Sequence, residues 1–363
     1  MRDTNGQLGK AYLKDYIVRA TPLLKEFLEK EKTEAINDKL GDIPLKLIET
    51  YSQLVSEGKG IRGALIELAY KACGGTDLER VLHASIFIEL FHTAILIHDD
   101  FMDRDPFRRG IPAVHKTFEG IGKSLKVKIP ADHYGNAVAV CIGDTGFYYS
   151  WKVLLDSGFA PAVILDAGKI YADYISRLGL GQALDLSITG AAKVSEEEAL
   201  KVLLLKSAEY TAILPMKIGA ALAGEEDIKR ITAIENYAKC FGWAFQIQDD
   251  ILGLFAKEEE LGKPVGSDLR EGKNTLLMIR LRKLGNQAQL EFQQKVLGNQ
   301  DATVADVERM KNILKDSGTY QHVLDLGWKY TQEGTSYIPQ VTSDKKIQEI
   351  LESTIYYMME RTK

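Results

Sequence analysis

An all-α fold is the first expectation, and three observations carry it. Apolar residues recur at three- and four-residue spacing through most of residues 8–340, and period-two strand patterns are scarce. Several segments are also apolar on most faces, as the central helices of a large bundle are. The chain has 363 residues, 45% hydrophobic and 27% charged, enough for a big core. No stretch has the composition of an interdomain linker, so a single domain over residues 1–363 is expected.

Taken in order, AYLKDYIVRATPLLKEFLEK gives the first helical pattern, and GGTD at 74–77 marks a break before an apolar run that ends at Asp99. Further breaks are expected in the Gly/Pro/basic stretch from Arg108 to Pro130 and at Gly179 to Gly181. EEEALKVLLLKSAEYTAILPMKIGAALAG and EDIKRITAIENYAKCFGWAFQIQDDIL read as helices, the second closing on Asp249 and Asp250. LGKPVGSDLREGKN at 261–274 reads as a loop, and its lysines and glycines also suit a mobile lid over phosphates. No repeat or low-complexity tract is apparent.

Two aspartate pairs at the ends of apolar runs carry the chemistry. Asp99 and Asp103, four apart, project from one helix face with Asp100 beside them. Carboxylates that close repel and call for a cation. Oxygen-only ligands select a hard ion, and Mg²⁺ completes its shell with water and substrate phosphate. A diphosphate is therefore the expected ligand, although a single DDxxD also fits a solvated acidic helix end. The basic Arg108-Arg109-Gly110 that follows suggests a second polyanion site.

Composition excludes several classes. A net charge of −5 argues against non-specific nucleic-acid binding, which needs many phosphate-neutralising cations. Cys73, Cys141 and Cys240 form neither a CxxC nor a disulfide framework, which points to a reducing compartment. No uninterrupted apolar run approaches the ~20 residues of a membrane span. MRDTNGQLGKAYLKDY lacks an apolar signal core, so a cytoplasmic protein is expected.

Ordered motifs along the chain then point to one family. GKGIR at 58–62, His92, HDDFMDRDPFRRG at 98–110, GD at 143–144, GQALD at 181–185, KS at 206–207, FQIQDD at 245–250 and LGKPVGSDLREGKNT at 261–275 follow one another in sequence. In this order they resemble the trans-isoprenyl diphosphate synthases, the polyprenyl synthetase family. The resemblance implies an all-α isoprenoid synthase-type helical bundle around a central apolar cavity, and a homodimer without a membrane span. It implies condensation of isopentenyl diphosphate with an allylic diphosphate (dimethylallyl, geranyl or farnesyl), with three Mg²⁺ ions per site.

Residue by residue, the resemblance makes Asp99, Asp103 and Asp249 direct metal ligands, with Asp100 and Asp250 as outer or alternate ones. Arg108, Lys206, Lys263 and Lys273 would contact the allylic diphosphate, with Gln182, Asp185 and Gln246 lining the same region. Lys59, Arg62, His92 and Arg109 would form a metal-free cradle for isopentenyl diphosphate, arginine offering the fork geometry suited to phosphate. Ser207, where the family usually has Thr, and Gln246 would direct dipoles at the allylic cation. The final deprotonation would fall to released pyrophosphate.

Two departures matter: Gly253 stands where many relatives carry a third Asp, and GKGIRG replaces the usual GKRxRP. Product length is set in the family by an aromatic four or five residues before the first motif. Here those positions are Ile95 and Ala94, and Phe91 lies about one turn deeper, which implies geranylgeranyl diphosphate. A floor made by Phe147 or Tyr148 instead would allow longer products. Ala94→Phe is expected to shorten the product. Farnesyl synthases, class I terpene cyclases and non-catalytic synthase subunits are the other readings, and a cyclase has no use for the second phosphate cradle.

Overall fold

The structure, a computed structural model, describes residues 5–189, 191, 194–256 and 265–362. The expected all-α architecture is found. Helices α1 (Gln7–Asn37), α2 (Asp42–Ser56), α3 (Ile61–Ala72) and α4 (Leu78–Met102) precede a small hairpin, β1 (Phe107–Arg108) and β2 (Ile111–Pro112). Then come α5 (Val114–Leu125), α6 (Ala131–Leu155), α7 (Pro161–Ile188), α8 (Glu196–Val202), a π-helix (Leu203–Ile213), α9 (Leu214–Leu222) and α10 (Ile228–Phe255). Helices α11 (Ser267–Glu271), α12 (Leu276–Leu284), α13 (Gln287–Val296), α14 (Val304–Asp316), α15 (Thr319–Val341) and α16 (Lys345–Glu360) complete the chain.

The chain forms two compact units. One comprises Tyr12–Glu67 and Gly75–Ile164 and carries the first aspartate motif; the other comprises Met1–Ala11, Leu68–Gly74 and Leu165–Lys363 and carries the second. In the first-motif unit, α4 packs along α6 and touches α2 and α5. It starts where Asp77 caps it by accepting the N–H of Arg80 at 3.0 Å, just after Gly74 at φ +85° has ended the preceding turn. Val81, Phe87, Ile88, Leu90 and Ile97 of α4 are buried, each contributing up to about 1.5–3 kcal/mol of apolar transfer energy. Although α4 is long and apolar enough to cross a membrane, 67% of its apolar window is buried, as in a core helix.

In the second-motif unit, α10 packs along α15, the π-helix and α16. The π-helix is held close to α10 because Gly242 has no side chain: a Cβ there would lie 2.4 Å from the Ala208 Cα. Gly181 serves the same end on α7, where a Cβ would lie 2.7 Å from the Leu205 Cβ. The break expected at Gly179 to Gly181 is therefore absent; both glycines lie inside α7, and at Gly181 close packing against the π-helix is the reason for glycine. The stretch from Arg108 to Pro130 is also more ordered than expected, since it holds the hairpin and α5.

Candidate active site

In the first-motif unit, the last turn of α4 presents Asp99 and Asp100, and Asp103 caps the helix with its N–H donating to the Asp99 carbonyl at 2.8 Å. Asp99 and Asp103 are half-buried, while Asp100 is 1% exposed. Burial raises the Asp100 carboxyl to about 7 against the opposing pull of Arg108. The Arg108 Nε donates to Asp100 Oδ1 at 2.6 Å, and its Nη2 reaches Asp105 Oδ2 at 3.3 Å. Arg108 thus stands as counter-ion to the first motif, while the next residue, Arg109, is anchored elsewhere. Asp100 Oδ2 is buried with no hydrogen-bond partner among the described residues, an acceptor suited to a hard cation.

The hairpin turn places Arg109. Its two residues, Arg109 at φ +54° and Gly110 at φ +78°, adopt the left-handed backbone that two-residue hairpins favour. For arginine this is unusual, and the chain holds it by an Nη1 hydrogen bond to the Leu54 carbonyl. On α4, His92 is pushed well below its usual pKa by burial and by the charges of Arg62, Arg109, Arg108 and Lys59. The three cations named with His92 from the sequence, Lys59, Arg62 and Arg109, therefore all lie near enough to act on its imidazole, as does Arg108. Glu89, overlooked in the sequence, sits among them: its Oε1 accepts the Gly63 N–H at 2.8 Å, and burial raises its pKa against the opposing Gly63, Arg62 and Arg109.

Lys59 is exposed just before α3, and Arg62 is buried in the first turn of that helix. Gly63, the last glycine of this motif and already on α3, has a packing reason. A Cβ on Gly63 would lie 1.9 Å from the hydroxyl of Tyr16, which is fully buried and bonded to Ser85 at 2.8 Å.

The proposed product-length residues lie where α4 meets α6. Phe91 is buried and stacks on Phe147, with ring centroids 5.1 Å apart, and His98 meets Phe147 edge-on at 5.3 Å. Ala94 is fully buried against α6, since a Cβ on Gly146 would come within 2.8 Å of the Ala94 Cβ and 2.6 Å of the Tyr51 hydroxyl. Ile95 stays half-buried, and Tyr148 is exposed.

In the second-motif unit, the π-helix carries Lys206 and Ser207. Lys206 Nζ bonds Asp185 Oδ2 of α7 at 2.8 Å, in the same α7 segment as Gln182, and Ser207 is buried. A π-helix widens the turn and often marks a functional segment. On α10, Gln246 Nε2 donates to Asp250 Oδ1 at 2.8 Å. Burial raises Asp250 to about 7 despite that bond, and the charges of Asp268 and Asp249 push the same way. Asp250, Gly253, Asp268, Lys273 and Thr275 line one pocket of this unit. Lys273 is paired with Glu271 at 2.9 Å, and Lys263 lies outside the described residues.

Two residues of this site were missed in the sequence. Asp268 faces the missing third position: a Cβ on Gly253 would lie 3.0 Å from Asp268 Oδ2. Arg361, just beyond α16, bonds Asp249 Oδ1 at 2.6 Å. The SD of LGKPVGSDLREGKN was a signal for the first; nothing local signalled the second. Among the described residues no group of three carboxylate, histidine or cysteine side chains is already placed to hold a metal ion.

Comparison with known proteins gives a consistent answer. The sequence pattern of the family described as polyprenyl synthetase matches residues 45–314. A geranylgeranyl diphosphate synthase of Sulfolobus acidocaldarius is 33% identical over 85% of this chain and 88% of its own. A geranylfarnesyl diphosphate synthase of Aeropyrum pernix is 31% identical over 90% of this chain and 95% of its own. A crystal structure of geranylgeranyl pyrophosphate synthase from Corynebacterium glutamicum, complexed with isoprenyl diphosphate and magnesium, superposes with a TM-score of 0.90 at 26% identity, covering 96% of this chain and 99% of that one.

Proposed function

The chain belongs to the polyprenyl synthetase family and is a trans-prenyltransferase, and on that premise we propose that it condenses isopentenyl diphosphate with allylic diphosphates to give geranylgeranyl diphosphate. The observation that carries this reading is the cation cluster around His92. A cyclase, which ionises one allylic diphosphate, has no second diphosphate to hold. The cations Lys59, Arg62 and Arg109, with Glu89 as a buried acidic neighbour, match a substrate that brings its own negative charge.

In this reading Lys59, Arg62, Arg109 and neutral His92 bind isopentenyl diphosphate by charge-assisted hydrogen bonds, and the Leu54 anchor fixes Arg109 for that task. Asp99, Asp103 and Asp249 would hold magnesium, with Asp100 and Asp250 in support. When bound, it supplies compensation for the charge that develops on departing pyrophosphate. Lys206, Lys273 and Lys263 are the proposed contacts to the allylic diphosphate, in which Lys206 would leave Asp185, and Gln182 lines that region. Ser207 and Gln246 direct dipoles at the allylic cation, and released pyrophosphate takes the final proton. The family region spans both compact units, which supports one functional domain. A homodimer in the cytoplasm completes the proposal.

The product assignment rests on the absence of an aromatic at Ala94 and Ile95 and on the named relatives, one of which makes a longer chain. Chromatography of dephosphorylated products tests it. A twenty-carbon alcohol as main product from each primer is expected; a twenty-five-carbon one would overturn the assignment. The buried contact with Gly146 changes what Ala94→Phe should do. Overpacking of about 1–3 kcal/mol is expected to lower the melting temperature by several degrees before any change of product can be read. Ile95→Phe, at the half-buried position, is the sounder probe and should shift the main product toward farnesyl diphosphate. An Ala94→Phe enzyme that melts like the wild type would contradict the packing argument.

Asp268 also sets the outcome expected for Gly253→Asp. The new carboxylate would enter beside Asp268 and near the buried Asp250, adding like charge. The metal-free variant should melt below the wild type, with Mg²⁺ recovering most of the loss. A higher melting temperature without metal would show that the position is not acidic enough to matter.

A further inference from the structure

Arg361 holds a place that no part of the proposed reaction uses. The residue is 4% exposed, and its guanidinium lies over the Phe245 ring at 4.3 Å. Its Nη2 donates to Asp249 Oδ1 at 2.6 Å and to the Phe245 carbonyl at 2.8 Å. Its own carbonyl accepts from Gln248 Nε2 at 2.8 Å, which fixes the backbone against α10. Nε and Nη1 are buried and have no hydrogen-bond partner among the described residues.

A guanidinium buried this deeply with two uncommitted nitrogens is an expensive anchor for a chain segment, because charge desolvation offsets much of the pairing energy. Apolar packing on Phe245 would hold the segment equally well. The arrangement makes more sense as electrostatics: Asp249 is 40% exposed, and Arg361 is a permanent positive charge applied to its buried side through one oxygen. A dication approaching Asp249 from the exposed side would feel that charge at close range.

We propose that Arg361 is a positioning residue for Asp249: a resident counter-ion that orients the carboxylate and keeps its affinity for a free divalent cation low until a diphosphate brings compensating negative charge. The proposal rests on the reading of Asp249 as a metal ligand. It makes cation loading at the second motif depend on substrate, without Arg361 touching the reacting atoms.

Direct Mn²⁺ binding to the full chain without substrate, followed by the free-ion electron paramagnetic resonance signal, tests this. Arg361→Gln and Arg361→Met, the second keeping an apolar stem on Phe245, should bind Mn²⁺ about tenfold more tightly than the wild type, since a nearby like charge has been removed. Arg361→Lys, which keeps the charge, should stay near wild type, and inorganic pyrophosphate should narrow the difference among all four proteins. Asp249→Asn in the Arg361→Met background should abolish the gain. Unchanged or weaker Mn²⁺ affinity in whichever neutral variant remains folded by circular dichroism would overturn the counter-ion role. A gain that survives Asp249→Asn would instead remove Asp249 from the metal ligands.

Discussion

Asp99→Ala and Asp103→Ala are each expected to lower turnover at least about a hundredfold, with near-native folding. Both carboxylates sit half-buried at the C-terminal end of α4, unlike the buried Asp100. Their loss should therefore fall on the developing pyrophosphate charge, a deficit of about 3–4 kcal/mol in the barrier. Steady-state rates at saturating substrate and Mg²⁺, with melting curves alongside, check this. A variant within a few-fold of wild type would remove that residue from the metal-binding set. Asp100 belongs to a different case, because it is buried and paired with Arg108, so its replacement should lower stability as well as rate.

The second large effect is expected at the cradle. Arg109→Gln should raise the Michaelis constant for isopentenyl diphosphate about tenfold to a hundredfold, the value of one or two charge-assisted hydrogen bonds, and leave that for the allylic primer nearly unchanged. Gln keeps a side chain at the left-handed position while removing the charge and the bond to Leu54. Initial rates with each substrate varied in turn separate the two constants. Equal changes for both substrates would mean that Arg109 supports the fold of the hairpin and not one diphosphate.

The sequence disclosed the parts of this site whose meaning is local. Helical spacing placed Asp99 and Asp103 on one face, and short motifs named Lys59, Arg62, His92 and Arg109, three cations and the imidazole on which all three act. What it could not disclose depends on contacts distant in the chain. Gly181 reads as a helix break until its contact with Leu205 is known, and Ala94 reads as an open floor until Gly146 is found against it. Arg361 and Asp249 are 112 positions apart and share no motif. Asp268 lies in a stretch whose glycines and lysines suggested a phosphate lid, which hid a carboxylate facing Gly253.

The proposed reaction is tested most directly by incubating the purified enzyme with labelled isopentenyl diphosphate, farnesyl diphosphate and Mg²⁺ and identifying the products. The account predicts that label enters an acyclic all-trans twenty-carbon diphosphate and that equimolar pyrophosphate is released. Consumption of farnesyl diphosphate to a hydrocarbon with no label incorporated would contradict it.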